Sequence, residues 1–101
     1  MKLLTNEIRK TLPKLGAQEH IADPVAVVKF FHPCAAATWF ATEFDGEDTF
    51  FGWAMLLPGC GELGYFSLAE MESVTVMGLG VERDINFTPT PLSEAIKRYQ
   101  N

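Results

Sequence analysis

The feature that most limits how this chain can fold lies between Thr38 and Leu57, where TWFATEF and TFFGWAMLL flank the four residues DGED. Both runs are rich in β-branched and aromatic side chains, the composition of strands. Asp45-Gly46 between them is a hairpin signal, because glycine accepts the positive φ that a tight turn demands. Two strands joined so closely pair antiparallel, and the remaining chain has to pack around that ribbon. In the first run Phe40, Thr42 and Phe44 are expected on one face, with Trp39, Ala41 and Glu43 on the other. The second run, Thr49 to Leu57, is apolar on both faces. Phe51, Trp53, Met55 and Leu57 share one face and Phe50, Ala54 and Leu56 the other, which places this strand in the interior of a sheet.

The flanking segments supply the other elements. Thr5 caps a short helix with Ile8, Leu12 and Leu15 near one face, which Pro13 and Gly16 end. Gln18 to Pro24 is polar and turn-prone. VAVVKFF, Val25 to Phe31, reads as a strand, and HPCAAA as a connector. PGCGELG is a loop, and LGYF a short strand. SLAE, Ser67 to Glu70, fits a capping box that starts a helix over Leu68 to Glu72. Val74 to Gly80 fits either a loop or a brief strand. VERDINF, Val81 to Phe87, alternates as a last strand with Val81, Arg83, Ile85 and Phe87 on one side. Thr90 and Pro91 supply a cap and a first-turn proline for a helix striped by Leu92, Ala95, Ile96 and Tyr99. The expected fold is α+β in a single domain over residues 1–101. It has a mainly antiparallel sheet of four or five strands, with two or three short helices packed on one face.

The charge balance is lopsided. The net charge is −5, and between Phe30 and Glu82 the chain has no Lys or Arg. The same span holds Glu43, Asp45, Glu47, Asp48, Glu62, Glu70, Glu72 and Glu82. Nucleic-acid binding needs clustered cations to neutralise phosphates, so direct binding of that kind is not expected. The opening MKLLTNEIRK lacks the apolar core of a signal peptide. The longest apolar run, Phe50 to Leu57, is far short of the ~20 residues a membrane span needs. The chain is therefore read as cytoplasmic, with no membrane partner and with Cys34 and Cys60 as free thiols.

No motif assigns a reaction. A calcium loop needs ligands at alternate positions and glycine sixth, whereas DGED has glycine second and no distal glutamate, so the stretch reads as a turn. His20, His32, Cys34 and Cys60 lack zinc spacing, and His32-Pro33-Cys34 lacks the other parts of a zinc deaminase site. GLGVER, Gly78 to Arg83, lacks the final glycine of a dinucleotide loop. No catalytic residue, metal ligand or cofactor is assigned. Most aromatics, Phe30 through Phe66, fall in the cation-free stretch. A protein-binding surface is therefore expected around Glu43, Asp45, Glu47, Asp48, Phe51 and Trp53, facing a basic protein or a second copy of the chain. The alternative is an enzyme or metal protein with an unfamiliar site built from Glu43, Asp45 and His32.

TEFDGEDTFFG (Thr42 to Gly52), ELGYFSLAEMESV (Glu62 to Val74) and VERDINFTPTPLSE (Val81 to Glu94) resemble a small bacterial domain family of unknown function. The opening MKLLTNEIRKTLPKL is similar to that family's start, and the likeness covers nearly the whole chain. The family is found on plasmids, phages and integrative elements, and inside large multidomain proteins of such elements. The resemblance therefore implies a non-enzymatic binding module of a mobile genetic element, an inhibitor or adaptor in anti-defence. It implies no catalytic residue. With no zinc spacing in the chain, EDTA is expected to leave the melting temperature unchanged, since a structural metal would couple folding to the ion. Stoichiometric zinc in elemental analysis would overturn this.

Overall fold

The structure is a computed structural model and describes residues 2–100. Helix α1 (Asn6–Thr11) precedes β1 (Val25–Ala26), β2 (Val28–Phe31), β3 (Thr38–Phe44), β4 (Thr49–Met55) and β5 (Gly61–Ser67). Then come α2 (Leu68–Ser73), β6 (Thr75–Val76), β7 (Leu79–Gly80), β8 (Glu82–Arg83), β9 (Thr90–Pro91) and α3 (Leu92–Gln100). The five-stranded sheet runs β5-β4-β3-β2-β8, antiparallel throughout. Two-stranded pieces, β1-β9 and β6-β7, complete an α+β domain.

The hairpin forms where the sequence places it, with β3 spanning Thr38–Phe44 and Gly46 at φ +92 in the turn. Its facing pattern differs from strict alternation. The β3-β4 register slips between Ala41 and Glu43, a β-bulge at Thr42. A bulge inserts one unpaired residue, so every side chain beyond it changes face. Phe44 therefore joins the face of Trp39 and Ala41, while Glu43 leaves it for the face of Phe40. Opposite the bulge sits Gly52, where a Cβ would run into the Phe40 carbonyl. Glycine is what lets the two backbones approach so closely.

Both faces of the sheet are covered, and this corrects the expectation of helices on one face only. On the first face Phe30, Trp39, Phe44 and Phe50 pack under Leu3, Leu4, Leu12 and Met71 from the N-terminal segment and α2. Phe50 stacks between Phe44 and Phe66 at 4.4 and 5.3 Å and meets Phe30 edge-on. On the second face Phe40, Trp53 and Met55 pack under Leu92 and Ala95 of α3, with Ile96 and Tyr99 at the margin. The amphipathic stripe of α3 is thus the one read from spacing.

Other boundaries move for local reasons. VAVVKFF divides at Val27, whose N–H reaches Ala41 O, so Val25–Ala26 pairs with Thr90–Pro91 rather than with the main sheet. β4 stops at Met55, and Leu56 and Leu57 stand exposed in the turn. LGYF is part of the longer strand β5. VERDINF keeps only Glu82–Arg83 as strand, pairing with Phe31 and Phe30. Beyond it Asp84 Oδ1 accepts the Asn86 N–H and turns the chain, leaving Ile85 exposed. Val74 to Gly80 resolves as a tight hairpin with Met77 and Gly78 at positive φ. Thr5 and Ser67 cap their helices as read, accepting from Ile8 N and Glu70 N.

Phe50→Ala is expected to cost about 3–5 kcal/mol in chemical denaturation, because it empties the centre of the aromatic stack. Gly52→Ala should cost roughly 1–3 kcal/mol through the backbone clash. Leu56→Ala, on an exposed turn, should stay within about 0.5 kcal/mol.

Candidate functional site

The DGED turn is held by its own first residue. Asp45 Oδ1 accepts the backbone N–H groups of Glu47, Asp48 and Thr49 at 2.8, 2.8 and 3.1 Å. These bonds, led by that from Glu47 and then that from Asp48, hold the Asp45 carboxyl below the usual aspartate range. Arg9 donates to Gly46 O at 2.6 Å and lies over the Phe44 ring, tying the turn to α1. Asp48 is also engaged: it accepts from Ser67 Oγ at 2.5 Å and from Ala69 N at 2.8 Å. It thereby adds a second cap to α2. Of the four acids from Glu43 to Asp48, Glu47 alone simply projects into solvent.

Glu43 lies inside the protein, 5% exposed. Its Oε1 accepts Gly16 N at 2.8 Å and its Oε2 accepts Gln18 N at 2.7 Å. The side chain of Gln18 is equally committed, donating to Thr42 O and Val25 O and accepting from Val25 N. The bulge explains this cluster: it turns the Thr42 carbonyl out of the ladder, and Gln18 takes it up. Thr42 Oγ1 donates to Phe51 O across the hairpin. Together these bonds clamp the loop from Pro13 to Gln18 onto β3.

The trio Glu43, Asp45 and His32 does not converge. His32 is buried at the far end of β2, paired through Nε2 with Leu79 O at 2.7 Å, while its Nδ1 accepts from Cys34 N. Phe31 pairs with Thr38, and Glu43 stands five residues further along β3, about 17 Å away at strand rise. Both carboxyl oxygens of Glu43, both ring nitrogens of His32 and Asp45 Oδ1 are taken up by the chain's own backbone. Among the described residues no three His, Cys, Asp or Glu side chains gather as metal ligands.

What the structure does bring together is a groove on the second face of the sheet. α3 covers only part of that face, and beyond it lies a cleft of about 900 Å³. Phe51 and Trp53 form its floor together with Thr42 and Glu43, so three of the six predicted binding residues line it. Asp45, Glu47 and Asp48 stand outside it at the hairpin tip. The other wall is the loop of Leu15, Glu19 and Ile21, and the open side is Leu63 and Tyr65 of β5. Leu63 is 59% and Tyr65 71% exposed, although Tyr65 packs edge-on against Phe51 at 5.0 Å. The Trp53 indole lies over Gly61, where a Cβ would strike its ring. Glu19 and Asp23 supply the charge, while Glu62, opposite Ala54 in the ladder, carries its side chain toward the first face at the edge of β5; among the described residues no Lys or Arg lines the groove.

Sequence reading passed over Leu63, Tyr65, Ile21 and Glu19. The alternation in ELGYF does place Leu63 and Tyr65 on one side, but the register against Phe51 and Trp53 is what puts that side in the groove. Asp23 was also missed. Its carboxylate accepts Ser93 N at 3.0 Å and Ser93 Oγ at 2.6 Å, and Leu92 N donates to Pro24 O. Asp23 therefore caps α3 from across the chain. Thr90, the expected cap, is buried with its hydroxyl on Thr88 O. The two bonds from Ser93, the side-chain one foremost, lower the carboxyl of Asp23 too.

A sheet with elements packed on both faces, its polar interior satisfied by backbone amides and an acidic apolar groove left open beside α3, defines a small α+β domain with a surface cleft. The chain belongs to the family described as protein of unknown function (DUF2958), whose profile matches residues 3–100. No curated protein and no solved structure matches the chain.

Asp45 and Asp23 generate a pH prediction. Each carboxyl is lowered in the folded chain, so the stability it supplies is complete above the ordinary aspartate value of about 3.9 and is lost as the pH falls through the lowered value. The melting temperature should therefore drop below about pH 4, and Asp45→Asn with Asp23→Asn should flatten part of that drop. A pH profile identical in the double variant would show that these carboxylates carry none of it.

Proposed function

We propose that this domain is a non-enzymatic protein-binding module that receives a basic, partly apolar segment of another protein in the groove. The observation that carries this reading is Leu63 and Tyr65, two large side chains left in water on the open side of a cleft whose charged lining residues, among those described, are all acidic. Exposed aromatic and aliphatic groups inside an acidic rim supply what partner sites need: apolar area at the centre and charge that steers and selects at the edge. The competing site of Glu43, Asp45 and His32 has its members apart and most of their polar atoms bonded internally, which favours binding over chemistry. The resemblance of the sequence blocks to a family of plasmids and phages supports the setting. The module acts in the cytoplasm of a bacterial cell, as an inhibitor or adaptor that a mobile element directs at a host protein.

Charge reversal tests this directly. Glu19 and Glu62 are exposed and hold no part of the fold, whereas Asp45 and Asp48 anchor a turn and a helix. Glu19→Lys with Glu62→Lys should slow association with basic peptides by about tenfold at low salt and reduce its salt dependence, with the melting temperature unmoved. Binding that is unchanged in rate and salt dependence would sink the proposal. Asp45→Lys with Asp48→Lys should instead lower the melting temperature.

A further inference from the structure

The free edge of the sheet is unlike the edges that isolated domains normally leave in water. β5 is seven residues long, and its register with β4 runs unbroken from Thr49↔Ser67 to Met55↔Gly61. It carries no proline, no lysine and no bulge, the devices that usually keep an edge from pairing. The opposite edge, β8, is two residues long and is occupied by Arg83, which donates to Lys2 O and Leu3 O.

The direction of the free groups on β5 follows from one bond. Leu68 N donates to Asp48 O, and an antiparallel ladder repeats such bonds at every second residue. Phe66, Gly64 and Glu62 therefore bond β4, while the N–H and C=O groups of Leu63 and Tyr65 point away from the sheet. Among the described residues no other part of the chain meets them. The same two residues aim their side chains into the groove. Across β5, on the first face of the sheet, lies a second cleft of about 460 Å³ between Phe66 and α2, with Glu70 on its margin.

We infer that β5 is a strand-addition site: an extended basic segment of a different protein pairs with the Leu63–Tyr65 edge and becomes a sixth strand. The inference rests on the binding reading above and names its mode. Alternate side chains of such a strand fall on opposite faces, one set over the groove with Glu19 and the other over the cleft with Glu70. Main-chain bonds hold the segment, and the two acidic clefts select Lys or Arg beside apolar groups. A second copy of the chain fits less well. Its own β5 would bring Glu62 and a net charge of −5 to clefts that are already acidic.

The test uses the full chain, ¹⁵N-labelled, with a library of end-blocked octapeptides that alternate Lys or Arg with apolar residues. An Asp/Glu counterpart library serves as control. Basic members should bind about tenfold or more tightly than their acidic counterparts. Amide hydrogen exchange at Leu63 and Tyr65 should slow by a similar factor on binding. N-methylating the peptide along one edge should abolish binding, and along the other edge should leave it intact. Tight binding with neither amide protection nor an N-methyl effect would overturn strand addition and leave the groove reading standing. Failure of every basic peptide would overturn both. Protection of the same amides in the free protein, with a dimer mass, would assign the edge to a second copy and overturn the inference.

Discussion

A buried carboxyl group, Glu43, with no ion pair among the described residues, governs the layout of this domain. Glu43 is held by the N–H groups of Gly16 and Gln18, which supply both of its oxygens with the hydrogen bonds a buried carboxyl needs to offset its lost hydration. The bulge at Thr42 is what turns Glu43 to the second face of the sheet, and Gln18 takes the carbonyl that the bulge releases. Once that loop is clamped, the rest of its course is short and constrained. Asp23, five residues beyond Gln18, reaches the first turn of α3, and Pro24 accepts the Leu92 N–H. The position of α3 on the sheet thus depends on a polar cluster that begins in β3.

That dependence also shapes the groove. α3 lies over Phe40 and Met55 but leaves the β4-β5 end of the same face open. The clamped loop forms the opposite wall. The cleft is therefore a gap between two elements that the Glu43 and Asp23 carboxylates position, and it sits beside the bare edge of β5. On the first face the aromatic stack around Phe50 has no such gap at its centre, because the N-terminal segment and α2 close over it. The two faces thus differ: the first is closed over its centre, and the second keeps an open groove.

The acidic middle of the chain has an equally divided role. Asp45 and Asp48 are used up in a turn and a helix cap, Glu43 in the loop clamp. What remains for long-range electrostatics is the set of exposed carboxylates at Glu19, Glu47, Glu62, Glu70 and Glu72. Apart from Arg9 at the hairpin turn, the sequence from Phe30 to Glu82 adds no cation to their field, and under the proposed reading it would steer a basic partner and disfavour an acidic one.

Much of this was legible in the residues themselves. The DGED hairpin, the Thr5 and Ser67 caps, the stripe of α3 and the interior position of β4 all follow from local chemistry: turn glycine, capping oxygens, and apolar groups at a helix or strand period. The chain's cation-free middle is likewise a property of the sequence. The tertiary structure alone decided three things. It decided where the β3 alternation breaks, since a bulge is set by what the partner strand and the loop require, and Gly52 merely permits it. It decided that Asp23 rather than Thr90 caps α3, because that bond joins residues seventy positions apart. And it decided that Leu63 and Tyr65, ordinary members of an alternating strand, stand exposed at an edge beside a groove. Each is a long-range contact, and periodicity and propensity report only on neighbours along the chain.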